Sequence, residues 1–358
     1  MVLSEKLDRK KQSNCRKEDE MAKIAILGGG GWAIGLSTVL SDNKQDVTMW
    51  SAVESEVKML QNERENKRCL SGIKIGDSVV VTDHLEQAVK DKDLIILAVA
   101  SSFVRSTAKK MCPYVEEGQI IVNVAKGIEE STLDTMTDII KEEIPQAKVA
   151  VLSGPSHAEE VGKRIPTIVV VGAKEKKTAE YIQKIFSNDV FRVYTSPDML
   201  GIEIGAALKN VIALAAGVAD GIGCGDNTKA ALITRGISEI SELGVAMGGN
   251  AQTFSGLSGM GDLIVTCASM HSRNRRAGIL IGQGKTMEEA MKEVNTVVEG
   301  VYSAKAAKKL SEKYQVAMPI IEEVNHVLFQ HEDPKQAVLN LMNRDLKSEL
   351  KKNLWNEK

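Results

Sequence analysis

The stretch Ile24-Ala25-Ile26-Leu27-Gly28-Gly29-Gly30-Gly31-Trp32-Ala33 decides the fold. Four apolar residues run straight into glycines, and a helix-compatible segment follows. In register the loop reads Gly28-x-Gly30-x-x-Ala33, a dinucleotide fingerprint with alanine in its third place. Gly28 suits the tight turn and Gly30 lets a pyrophosphate approach the backbone. The helix after it offers free N–H groups to the phosphates. A glycine pair alone also fits a purely structural turn, but this one follows a strand, precedes a helix and opens a domain.

Outward from that loop, short runs rich in Val and Ile recur between helix-length segments. They are Ile24-Leu27, Val47-Trp50, Val79-Val81, Leu94-Val99, Ile120-Val124, Val149-Leu152, Ile168-Val171 and Phe191-Tyr194. Most lack alternation, as strands buried on both faces do. The expected fold is α/β: a Rossmann-type, doubly wound, largely parallel sheet over 21–196, then an all-α domain over 197–343. Helices are expected over Met199-Val218, Thr228-Met247, Thr286-Val294, Val301-Lys313, Ile320-Phe329 and Pro334-Asn343. The polar, mixed-charge segment 1–20 is expected to be a disordered extension, and 344–358 a polar tail.

With 358 residues, 43% hydrophobic and 26% charged, the chain has enough apolar content for two cores. A net charge of -2 argues against a dedicated nucleic-acid binder. No secretory or transit pattern precedes Met21. The apolar stretch Met199-Ala219 is broken by Glu203 and Lys209, so it is expected to be a buried helix with no membrane insertion. Five cysteines (Cys15, Cys69, Cys112, Cys224 and Cys267) without paired spacing fit a reducing cytoplasm and no metal site.

Ligands of parallel sheets gather at the carboxyl ends of the strands. There Lys126 follows Val124-Ala125, and Ser153-Gly154-Pro155-Ser156 offers hydroxyls and backbone donors for an oxygen-rich substrate. His157 reads as structural or as an acid–base group. Lys209 lies deep in an apolar helix, where desolvation lowers its pKa toward the range of proton transfer; the competing reading is a side chain that reaches out to the surface. Asp262 and Thr266 share a face if that segment is helical. Ser272-Arg273-Asn274-Arg275-Arg276 is a basic cluster, and the planar fork of arginine suits a phosphate dianion. Gly217, Gly221, Gly223 and Gly225 read as a flexible connection between two helices. At the end of the second strand Ser51 is neither acidic nor basic, and Glu54 stands either as a ribose-binding acid or as a solvated helix start. NAD against NADP stays open.

In order, these stretches closely resemble the bacterial NAD(P)-dependent glycerol-3-phosphate dehydrogenases over about Lys23 to Phe329. The most specific segments are Val124-Glu129, Leu152-Val161, Phe191-Asp198, Ala207-Gly236, Gly261-Arg276 and Val297-Val301. The resemblance implies NAD or NADP as cofactor, and interconversion of dihydroxyacetone phosphate and glycerol 3-phosphate for phospholipid synthesis. It implies Lys209 as general acid–base, and Asp262, if close to it, would hold the lysine oriented. It places Lys126, Gly154, Ser156, Asp262, Ser272, Arg273 and Asn274 around the substrate. Gly28, Gly30, Gly31, Trp32, Ala33, Lys126, Ala158, Arg273, Val297 and Glu299 fall beside the cofactor, and a homodimer is the expected assembly.

The chain departs from the family at a few places. The family usually has Gly at Ala33, Ser at Gly31 and Thr at Ile34, and Pro and His where Ala100 and Ser102 stand. An Arg or Lys is common after the second strand, where this chain has Ser51-Ala52. Two rival readings are a related 3-hydroxyacid or 6-phosphogluconate dehydrogenase and a non-catalytic NAD(P) sensor. The Lys-x-x-x-Asn motif of the first rival is absent, since Ala213 stands four residues after Lys209.

Overall fold

The computed structural model describes residues 21–346 and 348–349. The expected extension 1–20 and most of the tail 344–358 lie outside the described residues. Eight strands form one sheet: β1 Lys23–Leu27, β2 Asp46–Trp50, β3 Val80–Thr82, β4 Leu94–Leu97, β5 Ile120–Asn123, β6 Lys148–Ser153, β7 Thr167–Ala173 and β8 Phe191–Ser196. All eight expected runs are strands. Their order is β3-β2-β1-β4-β5-β6-β7-β8, and every pair is parallel except β6 with β7. The largely parallel sheet therefore holds, with one antiparallel seam.

Strand order reverses at β1, with Ile24 opposite Val47 on one side and Leu94 on the other. Ile24, Ile26 and Leu94 feed the apolar layer on one face, while Ala25, Leu27 and Ile95 feed the other. Both faces are covered, which is why these strands are continuously apolar. The reversal opens a crevice outside the carboxyl end of β1, and the glycine loop stands there. The first helix, α1 (Gly31–Asp42), starts from Gly30.

The remaining described chain is helical, as expected, and builds a separate apolar cluster. Its axis is α2 (Met199–Gly221), whose N-terminus is capped by the Asp198 side chain accepting from Gly201 N. This helix is long and apolar enough to span a membrane, but its apolar window is wholly buried in the protein. Around it pack α3 (Asp226–Ala246), α4 (Asp262–Ala268), α5 (Arg273–Gly282), α6 (Glu299–Tyr314), α7 (Pro319–Phe329) and α8 (Pro334–Met342).

The glycine-rich connection needs correction. Gly217 and Gly221 lie inside α2, and only Gly223 and Gly225 belong to the link. A Cβ at Gly217 would stand 2.1 Å from the Arg275 carbonyl oxygen, and one at Gly278 2.1 Å from that of Leu214. The two helices cross backbone to backbone, and this close crossing sets the start of α5 beside Asn210. We expect Gly217→Ala to destabilise the protein by about 2–3 kcal/mol, because neither backbone can yield locally. Urea midpoints of variant and wild type check this.

Candidate functional site

Three side chains meet where the sheet edge faces α2. Lys209 Nζ donates to Asp262 Oδ1 at 2.5 Å and to Thr266 Oγ1 at 2.7 Å. Lys126 Nζ, arriving from the end of β5, donates to Asp262 Oδ2 at 2.7 Å and to the Gly154 carbonyl at 3.2 Å. Asp262 and Thr266 lie one turn apart on α4, and the Thr266 hydroxyl also donates to the Asp262 carbonyl at 2.6 Å. Lys209 is 5% exposed and Asp262 1%, so the carboxylate sits between two ammonium groups nearly out of water.

Burial dominates the titration of Lys209. It lowers the pKa from 10.5 to about 7, against the upward pull of Asp262, and the Lys126 charge lowers it further. Burial also opposes charge on Asp262, but the two lysines outweigh it and hold the carboxyl below its ordinary value. His157 lies nearby: its Nε2 is 3.5 Å from the Val265 carbonyl, and its ring stands 5.7 Å from that of His271. Burial, then Lys209, pushes its pKa down, so the imidazole stays neutral over a wider range.

Residues 272–276 separate by role. Ser272 caps α5, its hydroxyl accepting from Arg275 N at 3.2 Å. Arg275 is committed to structure, donating to Asp220 and to the Ala268 carbonyl. Asn274 is buried, donating to Asn210 Oδ1 and accepting from Gly300 N, which ties α5 to both α2 and α6. Arg273 is exposed, and its charge is felt at both Cys69 and Glu299. Cys69 lies against the glycine loop, its Sγ 3.8 Å from the Gly29 carbonyl, so the Arg273 charge reaches both that loop and the start of α6.

At the loop itself Gly28 has φ +140°, and a Cβ there would meet the Ala98 carbonyl at 2.6 Å. Around Gly30 the space is open, with nothing within 4 Å of where a Cβ would stand. Ala33 is fully buried and packs α1 onto the sheet. Gly31 faces the Cys69 carbonyl at 3.1 Å from its Cβ position, so the serine usual there would be crowded. Trp32 Nε1 is buried with no hydrogen-bond partner among the described residues. An open cradle beside free helix N–H groups, with an unpartnered indole donor, fits a dinucleotide phosphate.

Ala158 begins a short helix, and its carbonyl lies 3.5 Å from the Cβ position of Gly35 in α1. Ser156 donates to the Gly154 carbonyl at 2.9 Å. Val297 stands half-buried two residues before Glu299. Glu299 Oε1 accepts from Ser101 N at 3.1 Å and Oε2 from Ser101 Oγ at 2.5 Å. Burial raises its pKa despite these bonds and the Arg273 charge. Glu54, the suggested ribose acid, instead pairs with Lys58 at 2.5 Å in the open, as a solvated helix start does. Ser101, Thr266, Asn210 and Glu56 are neighbours of the site that sequence reasoning did not single out as ligands.

The N-terminal model of NAD-dependent glycerol-3-phosphate dehydrogenase matches residues 23–179, and its C-terminal model matches 198–339. The chain is 61% identical over 329 residues to glycerol-3-phosphate dehydrogenase [NAD(P)+] of Agathobacter rectalis, covering 92% of this chain and 98% of the relative. It is 60% identical to the Fusobacterium nucleatum protein of the same name, covering 92% of this chain and 99% of that one. The crystal structure of glycerol-3-phosphate dehydrogenase from Coxiella burnetii superposes with a TM-score of 0.88 at 33% identity, covering 90% of this chain and 99% of that one. The chain belongs to the NAD-dependent glycerol-3-phosphate dehydrogenase family.

Proposed function

We propose that Lys209 is the proton-transfer group of this enzyme, with Asp262 and Lys126 as its electrostatic frame. The chain is an oxidoreductase that interconverts dihydroxyacetone phosphate and sn-glycerol 3-phosphate with NAD(P)H. The observation that carries the assignment is a buried lysine, poised near neutrality, at the carboxyl edge of the sheet. When bound, the nicotinamide supplies the hydride for C2 of the ketone or takes it from the alcohol. Lys209 Nζ holds the proton for the developing alkoxide, or accepts it from the hydroxyl in the reverse direction.

Asp262 fixes the direction of Nζ through its 2.5 Å bond, while Thr266 takes a second N–H. Lys126, the Gly154 and Ser156 backbone–hydroxyl pair, and Ser272, Arg273 and Asn274 surround the substrate. Arg273 serves both phosphate-bearing ligands, which suits a charge felt both at Cys69 beside the glycine loop and at Glu299. Gly28, Gly30, Gly31, Trp32 and Ala33 form the phosphate loop, with Ala158, Val297 and Glu299 beside it. Residues 21–196 act as the dinucleotide domain and 197–343 as the catalytic one. A homodimer working in the cytoplasm for phospholipid synthesis completes the reading; the four described cysteines are all free, which suits a reducing compartment.

The pH dependence tests the lysine. Reduction needs Lys209 protonated, so its kcat/KM falls as pH rises through about 7. Oxidation needs it neutral, so that kcat/KM rises over the same range. His157, Asp262 and Lys126 face the same group and shift the midpoint without reversing either sign. Profiles parallel in the two directions between about pH 6 and 9 overturn the assignment. For Arg273→Ala we expect KM for dihydroxyacetone phosphate and Kd for the cofactor to rise together, each about tenfold or more. An effect on neither, in steady-state kinetics and direct titration, removes Arg273 from the site.

A further inference from the structure

We propose that Glu56 selects the cofactor in this chain, favouring NAD(H) over NADP(H) by receiving the adenosine ribose hydroxyls and repelling a 2′-phosphate. The inference rests on the proposed placement of the dinucleotide along the glycine loop. That loop is fastened to β2: Gly28 N donates to the Trp50 carbonyl at 2.7 Å. Ser51 follows the strand, almost fully buried, and its hydroxyl donates to Glu56 Oε2 at 2.6 Å while accepting from Val53 N at 3.1 Å.

The carboxylate thereby reaches back from its own helix over the glycine loop. Its Oε2 lies 2.7 Å from the position a Cβ would take at Gly29, so the carboxylate is tucked against the glycine loop. The result is a held negative charge at the carboxyl end of the second strand, beside the phosphate loop. An acid at this place in a doubly wound sheet accepts hydrogen bonds from the ribose diol. Oε2 is engaged by Ser51, and Oε1 has no donor among the described residues. Two cations of the same segment are occupied elsewhere: Lys58 pairs with Glu54, and Arg64 donates to the Gly76 and Val79 carbonyls. A 2′-phosphate entering here meets a carboxylate.

A purely local role is the competing account, because Glu56 also sits in the first turn of its helix, Glu54–Glu63. Equilibrium titration of the full-length protein with NADH and with NADPH, followed by fluorescence at fixed salt, separates the two. Wild type should bind NADH more tightly. Glu56→Gln should shrink the NADH-to-NADPH affinity ratio about tenfold, and Glu56→Lys should invert it, since like charges at an interface discriminate strongly. The same order should appear in kcat/KM. An unchanged ratio in both variants, or a wild type that binds NADPH as well or better, overturns the role of Glu56. Failure of wild type to bind either cofactor would instead bring down the reading of the glycine loop, and this inference with it.

Discussion

Replacing Lys209 with methionine should lower kcat by about 10²–10⁴-fold, the range that a positioned general acid–base contributes. Methionine matches the lysine stem in length and stays apolar, so the core of α2 remains filled. Asp262 keeps Lys126 at 2.7 Å as its counter-ion, so the site does not lose its charge balance. Cofactor affinity, measured by direct titration, should be unchanged. The variant should also alter how stability responds to pH. In the wild type the folded pKa of about 7 lies below the ordinary 10.5. Between those values the unfolded chain binds a proton that the native state does not, so stability rises with pH through that window. Below about 7 the cost of burying the ammonium is fully present. The methionine protein should lack this rise in its urea midpoint. Turnover within tenfold of wild type would reassign the proton to another group.

Much of this was legible in the chain because it depends on local pattern. Ile24 to Ala33 carries strand, turn and helix start in one short stretch, and each buried strand shows as a Val- and Ile-rich run. Lys209 stood out because the apolar run around it makes a charge there costly without a partner. Asp262 was expected to orient it only on the condition that the two lie close, and that closeness was not legible, since Asp262 lies 53 residues on and reaches Lys209 through the packing of α4 on α2. The Ser101–Glu299 contact spans 198 residues and links the two halves of the protein. Helix α5 was read only as a basic cluster: Gly278 and Gly282 weaken its helical signal, yet they are what lets it lie against α2. Likewise Glu54 and Glu56 look alike in sequence. Which of two first-turn acids points back at the sheet is decided by the angle of a helix, and the hydroxyl of Ser51 marks the choice.

The second large effect is expected at Asp262→Asn. This change leaves one oxygen to accept a hydrogen bond but removes the carboxylate bonded to both lysines. Lys209 then has burial and Lys126 against its proton with that opposing charge gone, so its pKa falls below the wild-type value. In the reductive direction the declining limb of kcat/KM should move to lower pH, and the rate near neutrality should drop at least tenfold. Stability should suffer as well, by about 3–5 kcal/mol where the lysine would otherwise be charged, since breaking a buried pair strands its partner. Above about pH 7 Lys209 is largely neutral in the wild type, and the partly exposed position of Lys126 lets water serve that second cation. The deficit in urea midpoint should therefore be larger at about pH 6 than at about pH 9. A deficit equal at both values, or a limb that does not move, would mean that Asp262 holds the helix in place and has no hold on the proton.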